Sequence, residues 1–134
     1  MQGNDVTVYV VEDSLTLAKL LGELIESTGA KVVGYADTGA RAIDDIARLR
    51  PDAVTIDITL KRGSGFDVLQ ALETGDTEHA TVRIVLSNHL ADTYRSTASC
   101  LGADYFFDKA TELREAVDLI ASLKTRTRRQ RIGA

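Results

Sequence analysis

Short apolar runs alternate along the chain with longer segments in which apolar residues recur every three or four positions. The apolar runs are rich in β-branched residues and predict five buried strands, at residues 6–11, 31–35, 53–56, 81–86 and 104–107. The helical spacing predicts five helices, at residues 17–28, 39–49, 66–74, 91–101 and 113–120. Because strands and helices alternate, we expect an α/β fold with a doubly wound, five-stranded parallel sheet and helices on both faces.

Two of the predicted helices differ in the strength of their apolar pattern. In the first helix four of the five residues at helical spacing are leucines, namely Leu17, Leu20, Leu21 and Leu24, with Thr28 as the fifth. In the fourth helix they are mostly small or hydroxylated, namely Tyr94, Thr97, Ala98 and Leu101. Because the fourth helix offers little apolar area for burial, we expect it to be the easiest helix to move.

The composition is that of a globular protein. The 134 residues are 44% hydrophobic and 27% charged, which is enough for a core without disulfides. No apolar run is long enough to span a membrane, and the first residues do not resemble a signal peptide, so we expect a cytoplasmic location. Cys100, the single cysteine, has apolar neighbours and is expected to be a small buried hydrophobe.

Charge is distributed unevenly along the chain. The net charge is −4, but five of the sixteen basic residues follow residue 123, and no acidic residue follows Asp118. Residues 1–123 are therefore expected to form one acidic domain, and residues 124–134 a basic helix end or tail. An acidic body makes nucleic acid an unlikely partner.

Polar side chains come within two residues of the ends of four of the predicted strands. Glu12 and Asp13 follow the first strand, Asp57 the third, Ser87 the fourth and Lys109 the fifth. The carboxyl ends of parallel strands meet at one edge of the sheet, which is where such folds bind ligands. Taken alone, an acidic residue or serine before a helix is most often an N-cap, so the joint pattern carries the prediction of a site.

The predicted cluster has a clear chemistry. Three carboxylates about 5 Å apart repel one another by roughly 3 kcal/mol per pair at an effective dielectric constant near 20, and a bound dication would cancel this repulsion. An anionic set of oxygen ligands suits magnesium. A carboxylate can also attack phosphorus to form an acyl phosphate, which makes Asp57 a candidate nucleophile.

The intervals between these residues carry a family resemblance. Asp13 and Asp57 are 44 residues apart, Ser87 follows after 30 more and Lys109 after a further 22. Together with the segments 63–69 (GSGFDVL) and 102–109 (GADYFFDK), they resemble the receiver domains of two-component response regulators, over residues 6–123. The resemblance implies the flavodoxin-like strand order 2-1-3-4-5 of a chemotaxis-regulator fold. It also suggests a receiver without an attached output domain.

The resemblance also implies roles for the residues at the sheet edge. Asp57 would accept a phosphoryl group. Asp13, Asp57 and the main-chain carbonyl of Thr59 would hold Mg²⁺, with Glu12 in the outer shell. The donor would be a phosphohistidine on a sensor histidine kinase or a histidine phosphotransfer protein, with small acyl phosphates as substitutes. We hypothesise separately that Thr59 and His89, which would flank the phosphoryl group, tune its lifetime.

Further expectations concern the response to phosphorylation. Ser87 and Lys109 would bind the phosphoryl group and switch the face around the fourth helix and fifth strand, to which an unknown downstream protein binds. Phe106 takes the place of an aromatic reporter residue of the family; it cannot hydrogen-bond, so we expect its ring to pack. The family usually has a proline, commonly in a cis linkage, where this chain has Ala110. Because a cis bond before a non-proline residue is costly, we predict a trans Lys109–Ala110 bond.

Two other functions fit parts of the sequence. A phosphatase of the haloacid dehalogenase type also uses an aspartate nucleophile, but it carries a second aspartate two residues later, where this chain has Thr59. A nucleic-acid-binding effector would use the basic tail. Too little chain follows Leu123 for a helix-turn-helix domain, so such binding is expected to be weak and salt-dependent.

Overall fold

Five strands alternate with five helices, as the hydrophobic pattern predicts. The computed structural model describes residues 5–75, 80–88 and 91–123. The strands are β1 (Thr7–Val11), β2 (Lys31–Ala36), β3 (Ala53–Ile56), β4 (Val82–Ser87) and β5 (Tyr105–Asp108). The helices are α1 (Leu15–Glu26), α2 (Gly39–Leu49), α3 (Gly65–Thr74), α4 (Asp92–Cys100) and α5 (Leu113–Ser122). Every boundary lies within two residues of its predicted position.

The strands form one parallel sheet in the order β2-β1-β3-β4-β5, which confirms the predicted fold class and strand order. β3 is the middle strand, and all four of its residues are buried. Its last residue, Ile56, pairs with Val11 of β1 and with Val85 of β4. The carboxyl ends of the central strands therefore meet at one edge of the sheet.

Each face of the sheet has its own apolar core. On one face the sheet packs against α1 and α5, in a core that includes Val8, Val10, Leu21, Ile25, Ile84 and Ile120. On the other it packs against α2, α3 and α4, in a core that includes Tyr9, Val11, Ile46, Val54, Leu69 and Ala98. Successive residues of β1 point to opposite faces, so both sets must be apolar, which explains the continuous apolar runs in the sequence.

The buried face of α1 differs from the leucine pattern. The fully buried residues are Ala18, Leu21, Gly22 and Ile25, whereas Leu20 is 46% exposed. The helix lies against β2 at Gly22, where a Cβ atom would collide with the hydroxyl group of Tyr35. The buried face of α1 therefore runs through Ala18, Leu21, Gly22 and Ile25, and Leu20 lies outside it.

α4 is weakly anchored, in line with its thin apolar stripe. Ala98 is its only buried residue, while Tyr94 and the following Leu101 are partly buried against the same core. Cys100 is exposed, so the expectation that it is buried was wrong. It lies two residues from Ala98, which is about 200° around a helix, and it therefore faces away from the sheet.

None of the helices in the described part of the chain is long and apolar enough to cross a membrane. The basic segment 124–134 lies outside the described residues. Its separation from the domain at residue 123 stays a prediction.

Two neighbouring leucines of α1 test the observed orientation of this helix. Leu21 is 1% exposed and Leu20 is 46% exposed. We expect Leu21→Ala to lower the free energy of unfolding by about 2–5 kcal/mol, because it leaves a cavity in the core. Leu20→Ala should change it by only about 0.5 kcal/mol. Chemical denaturation measures both values, and equal losses would show that the orientation of α1 is wrong.

Candidate functional site

The sheet register positions the polar residues at its carboxyl edge. Asp57 directly follows β3, and its backbone N–H donates to the Val11 carbonyl at 3.0 Å. Lys109 directly follows β5, and its backbone N–H donates to the Ser87 carbonyl at 3.0 Å. The main-chain pairing therefore continues one residue beyond β3 and β5. It fixes the backbone positions from which the Asp57 and Lys109 side chains project.

A glycine allows the chain after Asp57 to turn back tightly into α3. The Gly65 N–H donates to the Ile58 carbonyl at 2.9 Å. A Cβ atom on Gly65 would lie 2.5 Å from the Asp57 carbonyl oxygen, so any larger residue would displace the backbone of Asp57. Ser64 and Asp67 form a capping box that starts α3 at this point.

Three carboxylates converge at this edge. Glu12, Asp13 and Asp57 each offer an oxygen within 4.8 Å of the others. Glu12 and Asp57 are both 5% exposed, whereas Asp13 is partly open to solvent. The N-cap of α1 is Ser14, whose side chain accepts from the Leu17 N–H. The capping role that could account for Asp13 is therefore filled by its neighbour.

Lys109 places an ammonium group among these carboxylates. Its Nζ lies 2.9 Å from Glu12 Oε1 and 2.9 Å from Asp57 Oδ2. The Lys109 side chain is only 10% exposed, so these ion pairs are shielded from bulk water. The structure thus brings together Glu12, Asp13, Asp57 and Lys109. The first and last of these residues are 97 positions apart in the sequence.

Burial and charge act in opposite directions on these groups. Burial raises the pKa of Glu12 above its usual value, and the hydrogen bonds from Lys109 and the Ser14 N–H only partly offset this effect. Burial alone would lower the pKa of Lys109, but its hydrogen bonds to Asp57 and Glu12 and their negative charges together raise the pKa above the usual value. Lys109 is therefore held in its charged form.

Two of the remaining predicted residues, Thr59 and Ser87, lie beside members of this cluster. The Thr59 N–H donates to Asp57 Oδ1 at 3.1 Å, and the Thr59 side chain is exposed. Ser87 is fully buried at the end of β4. His89 lies outside the described residues.

Phe106 packs, as predicted from its lack of a hydroxyl group. Its ring is half-buried against the core under α4. The Arg95 guanidinium of α4 lies over the ring, 4.6 Å from its centre, in a cation–π contact. Phe106 therefore links α4 to β5 two strands away from Asp57 in the sheet order.

The loop after Lys109 contains contacts that the sequence prediction missed. All peptide bonds among the described residues are trans, which confirms the predicted Lys109–Ala110 bond. The Asp108 carboxylate accepts from the Ala110 N–H at 2.8 Å and from the Thr111 hydroxyl at 3.0 Å. An aspartate followed by a short polar turn is the sequence signal for such a loop.

Comparison with known proteins identifies the family. Residues 8–121 match the response regulator receiver domain, and the chain belongs to this family. A receiver domain is the phosphoacceptor of two-component signalling, and such domains take phosphoryl groups from histidine kinases or phosphotransfer proteins and generally bind Mg²⁺.

Its relatives include longer proteins. The chain is 31% identical over 110 residues to a protein-glutamate methylesterase/protein-glutamine glutaminase of Treponema pallidum, covering 79% of this chain and 27% of that protein. It is 30% identical over 125 residues to the probable transcriptional regulatory protein TcrX of Mycobacterium tuberculosis, covering 93% of this chain and 52% of the relative. The chain thus spans about half or less of these curated relatives.

Solved structures show the same fold. The response regulator domain of Thermotoga maritima CheB has a TM-score of 0.72 and 26% identity, with 87% of this chain and 90% of that chain covered. The signal receiver domain of a putative LuxO repressor from Vibrio parahaemolyticus has a TM-score of 0.75 and 28% identity, with the same shares covered. The fold of this chain is therefore shared with receivers of differently named regulators.

The raised pKa of Glu12 generates a stability prediction. Because the folded protein binds this proton more tightly than the unfolded chain, stability falls as the pH rises from about 4.5 through the raised pKa. In metal-free buffer at pH 7, Glu12→Gln should therefore raise the free energy of unfolding. This gain should shrink as the pH is lowered towards 4.5.

Denaturant unfolding over this pH range measures the effect. Glu23→Gln, on the exposed side of α1, is the matched control and should change stability little at any pH. A Glu12→Gln variant that is less stable than wild type at pH 7 would contradict the prediction.

Proposed function

We propose that Asp57 is the phosphoacceptor of this receiver domain. The observation that carries the proposal is the way in which both oxygens of its carboxylate are held. Oδ1 accepts from the Thr59 N–H, and Oδ2 accepts from the Lys109 ammonium. A nearly buried carboxylate that is oriented by two donors, beside two further carboxylates, has the setting of a positioned nucleophile.

The transfer step follows from this arrangement. An oxygen of Asp57 attacks the phosphorus of a phosphohistidine on a sensor histidine kinase or a histidine phosphotransfer protein. A P–O bond forms and the P–N bond breaks, and the electron pair of the broken bond stays on the imidazole, which takes a proton. The Lys109 ammonium, which already contacts Asp57, offsets the negative charge of the incoming phosphoryl group.

The acidic cluster fits Mg²⁺. Its donors are carboxylate oxygens, which are the ligands that this ion prefers, and their mutual repulsion favours a cation. Asp13, Asp57 and the main-chain carbonyl of Thr59 would hold the ion, with Glu12 in the outer shell. When bound, the ion supplies positive charge that stabilises the transferring phosphoryl group. The partial exposure of Asp13 leaves the cluster accessible from solvent.

Ser87 and Lys109 are proposed to couple phosphorylation to a change in shape. A hydrogen bond from Ser87 to the charged group is worth roughly 1.5–3 kcal/mol. Moving a two-state equilibrium from 1:99 to 99:1 takes about 5.5 kcal/mol, so the serine alone is insufficient and Lys109 must contribute. The output face would be the region of α4 and β5, where Phe106 packs under Arg95 and where an unknown downstream protein would bind.

The two alternative functions receive less support. Thr59 occupies the place of the second aspartate of haloacid dehalogenase phosphatases, and a threonine cannot act there as the general acid. The basic segment 124–134, on which nucleic-acid binding would depend, lies outside the described residues. Nucleic-acid binding through the tail does not explain the approach of Lys109 to Asp57.

Intact-mass measurement with acetyl phosphate and Mg²⁺ tests the proposed phosphoacceptor. Wild type should gain the mass of one phosphoryl group, because Asp57 is held for attack. Asp57→Ala should gain none, and removal of Mg²⁺ with a chelator should slow uptake by at least about tenfold, which corresponds to 1.4 kcal/mol. Asp92→Ala, which removes an exposed carboxylate from α4, is the control and should react like wild type. Phosphorylation of Asp57→Ala at the wild-type rate would refute the assignment.

The residues flanking the phosphoryl group generate a second prediction. Because Thr59 lies two residues after Asp57 and His89 two residues after Ser87, Thr59→Ala and His89→Ala should change the rate at which phosphate is lost. Rapid removal of the donor, followed by mass analysis over time, measures this rate. Dephosphorylation rates equal to that of wild type in both variants would exclude a role in lifetime.

A further inference from the structure

Lys109 reaches the acidic cluster from the loop between β5 and α5. Its backbone N–H donates to the carbonyl of Ser87, the last residue of β4, and this bond fixes the start of the loop. The following residues, 110–112, belong to neither a strand nor a helix. The position of Lys109 therefore also depends on what holds this short segment.

Asp108 holds the segment with both of its carboxylate oxygens. Oδ1 accepts from the Ala110 N–H at 2.8 Å, and Oδ2 accepts from the Thr111 hydroxyl at 3.0 Å. These bonds cross over Lys109 and connect the residue before it with the two residues after it. The Asp108 side chain thus ties the backbone before Lys109 to the residues after it.

Glu112 closes the same loop from the other end. Its side chain accepts from the Asp108 N–H at 2.8 Å, and its own N–H donates to the Asp108 carbonyl at 2.8 Å. Glu112 is also the N-cap residue of α5, yet its side chain makes no capping hydrogen bond. The side chain is used to fix the loop rather than the start of the helix.

Asp108 does not act on the ammonium directly. Among the described residues, the hydrogen-bond partners of Lys109 Nζ are Glu12 and Asp57. Apart from the effect of its charge, Asp108 can therefore influence the ammonium only through the backbone of the loop that carries Lys109.

We infer that Asp108 is a positioning residue, which holds Lys109 so that its ammonium meets Asp57. This inference rests on the proposed function, since it assumes that Lys109 assists phosphorylation of Asp57. Without the Asp108 side chain, the loop gains conformational freedom and the ammonium spends less time at the acceptor carboxylate. Transfer of the phosphoryl group should then be slower, while the Asp57 backbone stays in place.

Three substitutions separate this role from a general effect of charge. Asp108→Ala removes both side-chain contacts. Asp108→Asn keeps an oxygen for the Ala110 N–H and offers an amide to the Thr111 hydroxyl. Asp118→Ala removes the same charge from an exposed position on α5 and is the matched control.

The rate of uptake from acetyl phosphate with saturating Mg²⁺, followed by intact mass, is the primary measurement. Asp108→Ala should react about tenfold more slowly than wild type, because a small misplacement of a positioned group is costly. Asp108→Asn should restore the rate to within about twofold of wild type, because the main acceptor is retained. Asp118→Ala should match wild type.

A double-mutant cycle with Lys109→Met tests whether Asp108 acts through the lysine. In the Lys109→Met background, Asp108→Ala should cause little further slowing, because the group that it positions is absent. Equal slowing with and without Lys109 would overturn the inference. If Asp108→Ala does not fold, as judged by circular dichroism, Thr111→Val removes a single contact of the loop and takes its place in the cycle.

The outcomes distinguish the two proposals. If wild type takes up no phosphoryl group, the proposed function fails and this inference fails with it. If wild type is phosphorylated at Asp57 but Asp108→Ala reacts as fast as Asp118→Ala, only the positioning role is refuted.

Discussion

The contact of the Lys109 ammonium with Glu12 and Asp57 is the interaction on which the site depends. Three carboxylates within 4.8 Å of one another would be strongly unfavourable at a largely buried edge without a nearby cation. Lys109 supplies that cation from the other end of the chain, at 2.9 Å from both buried acids. The pKa of Glu12 is raised because burial disfavours its negative charge. The pKa of Lys109 is raised because the neighbouring carboxylates Asp57 and Glu12 favour its positive charge.

The parallel sheet makes this contact achievable. Asp57 and Lys109 each follow the last residue of a strand, and their backbone N–H groups continue the pairing with the neighbouring strands. Side chains that are distant in sequence therefore start from fixed and adjacent positions. The loops then need only small adjustments, such as the tight return at Gly65 and the hydrogen-bonded turn from Asp108 to Glu112.

The sequence predicts the sheet and the cluster because the strands follow from periodicity, while the resemblance to receiver domains supplies the strand order. Apolar runs locate the strands, and the polar residues after them share one edge. The buried face of α1 was not predictable from its leucines, because two of its four buried residues, Ala18 and Gly22, are small and lie outside the leucine spacing. The exposure of Cys100 depends on the rotation of a weakly amphipathic helix. The contacts of Asp108 depend on loop geometry, which the periodicity does not encode.

The burial of β3 contrasts with the exposure of α4. Every residue of β3 is buried, whereas α4 buries only Ala98. Thermal fluctuations that loosen the periphery would leave the middle of the sheet intact, since the two regions share few contacts. The domain thus combines a rigid central strand, β3, with a peripheral helix, α4, that is easily displaced. Displacing α4 would disrupt little packing. Most of the free energy of a covalent modification at the site would therefore remain available for discriminating between binding partners.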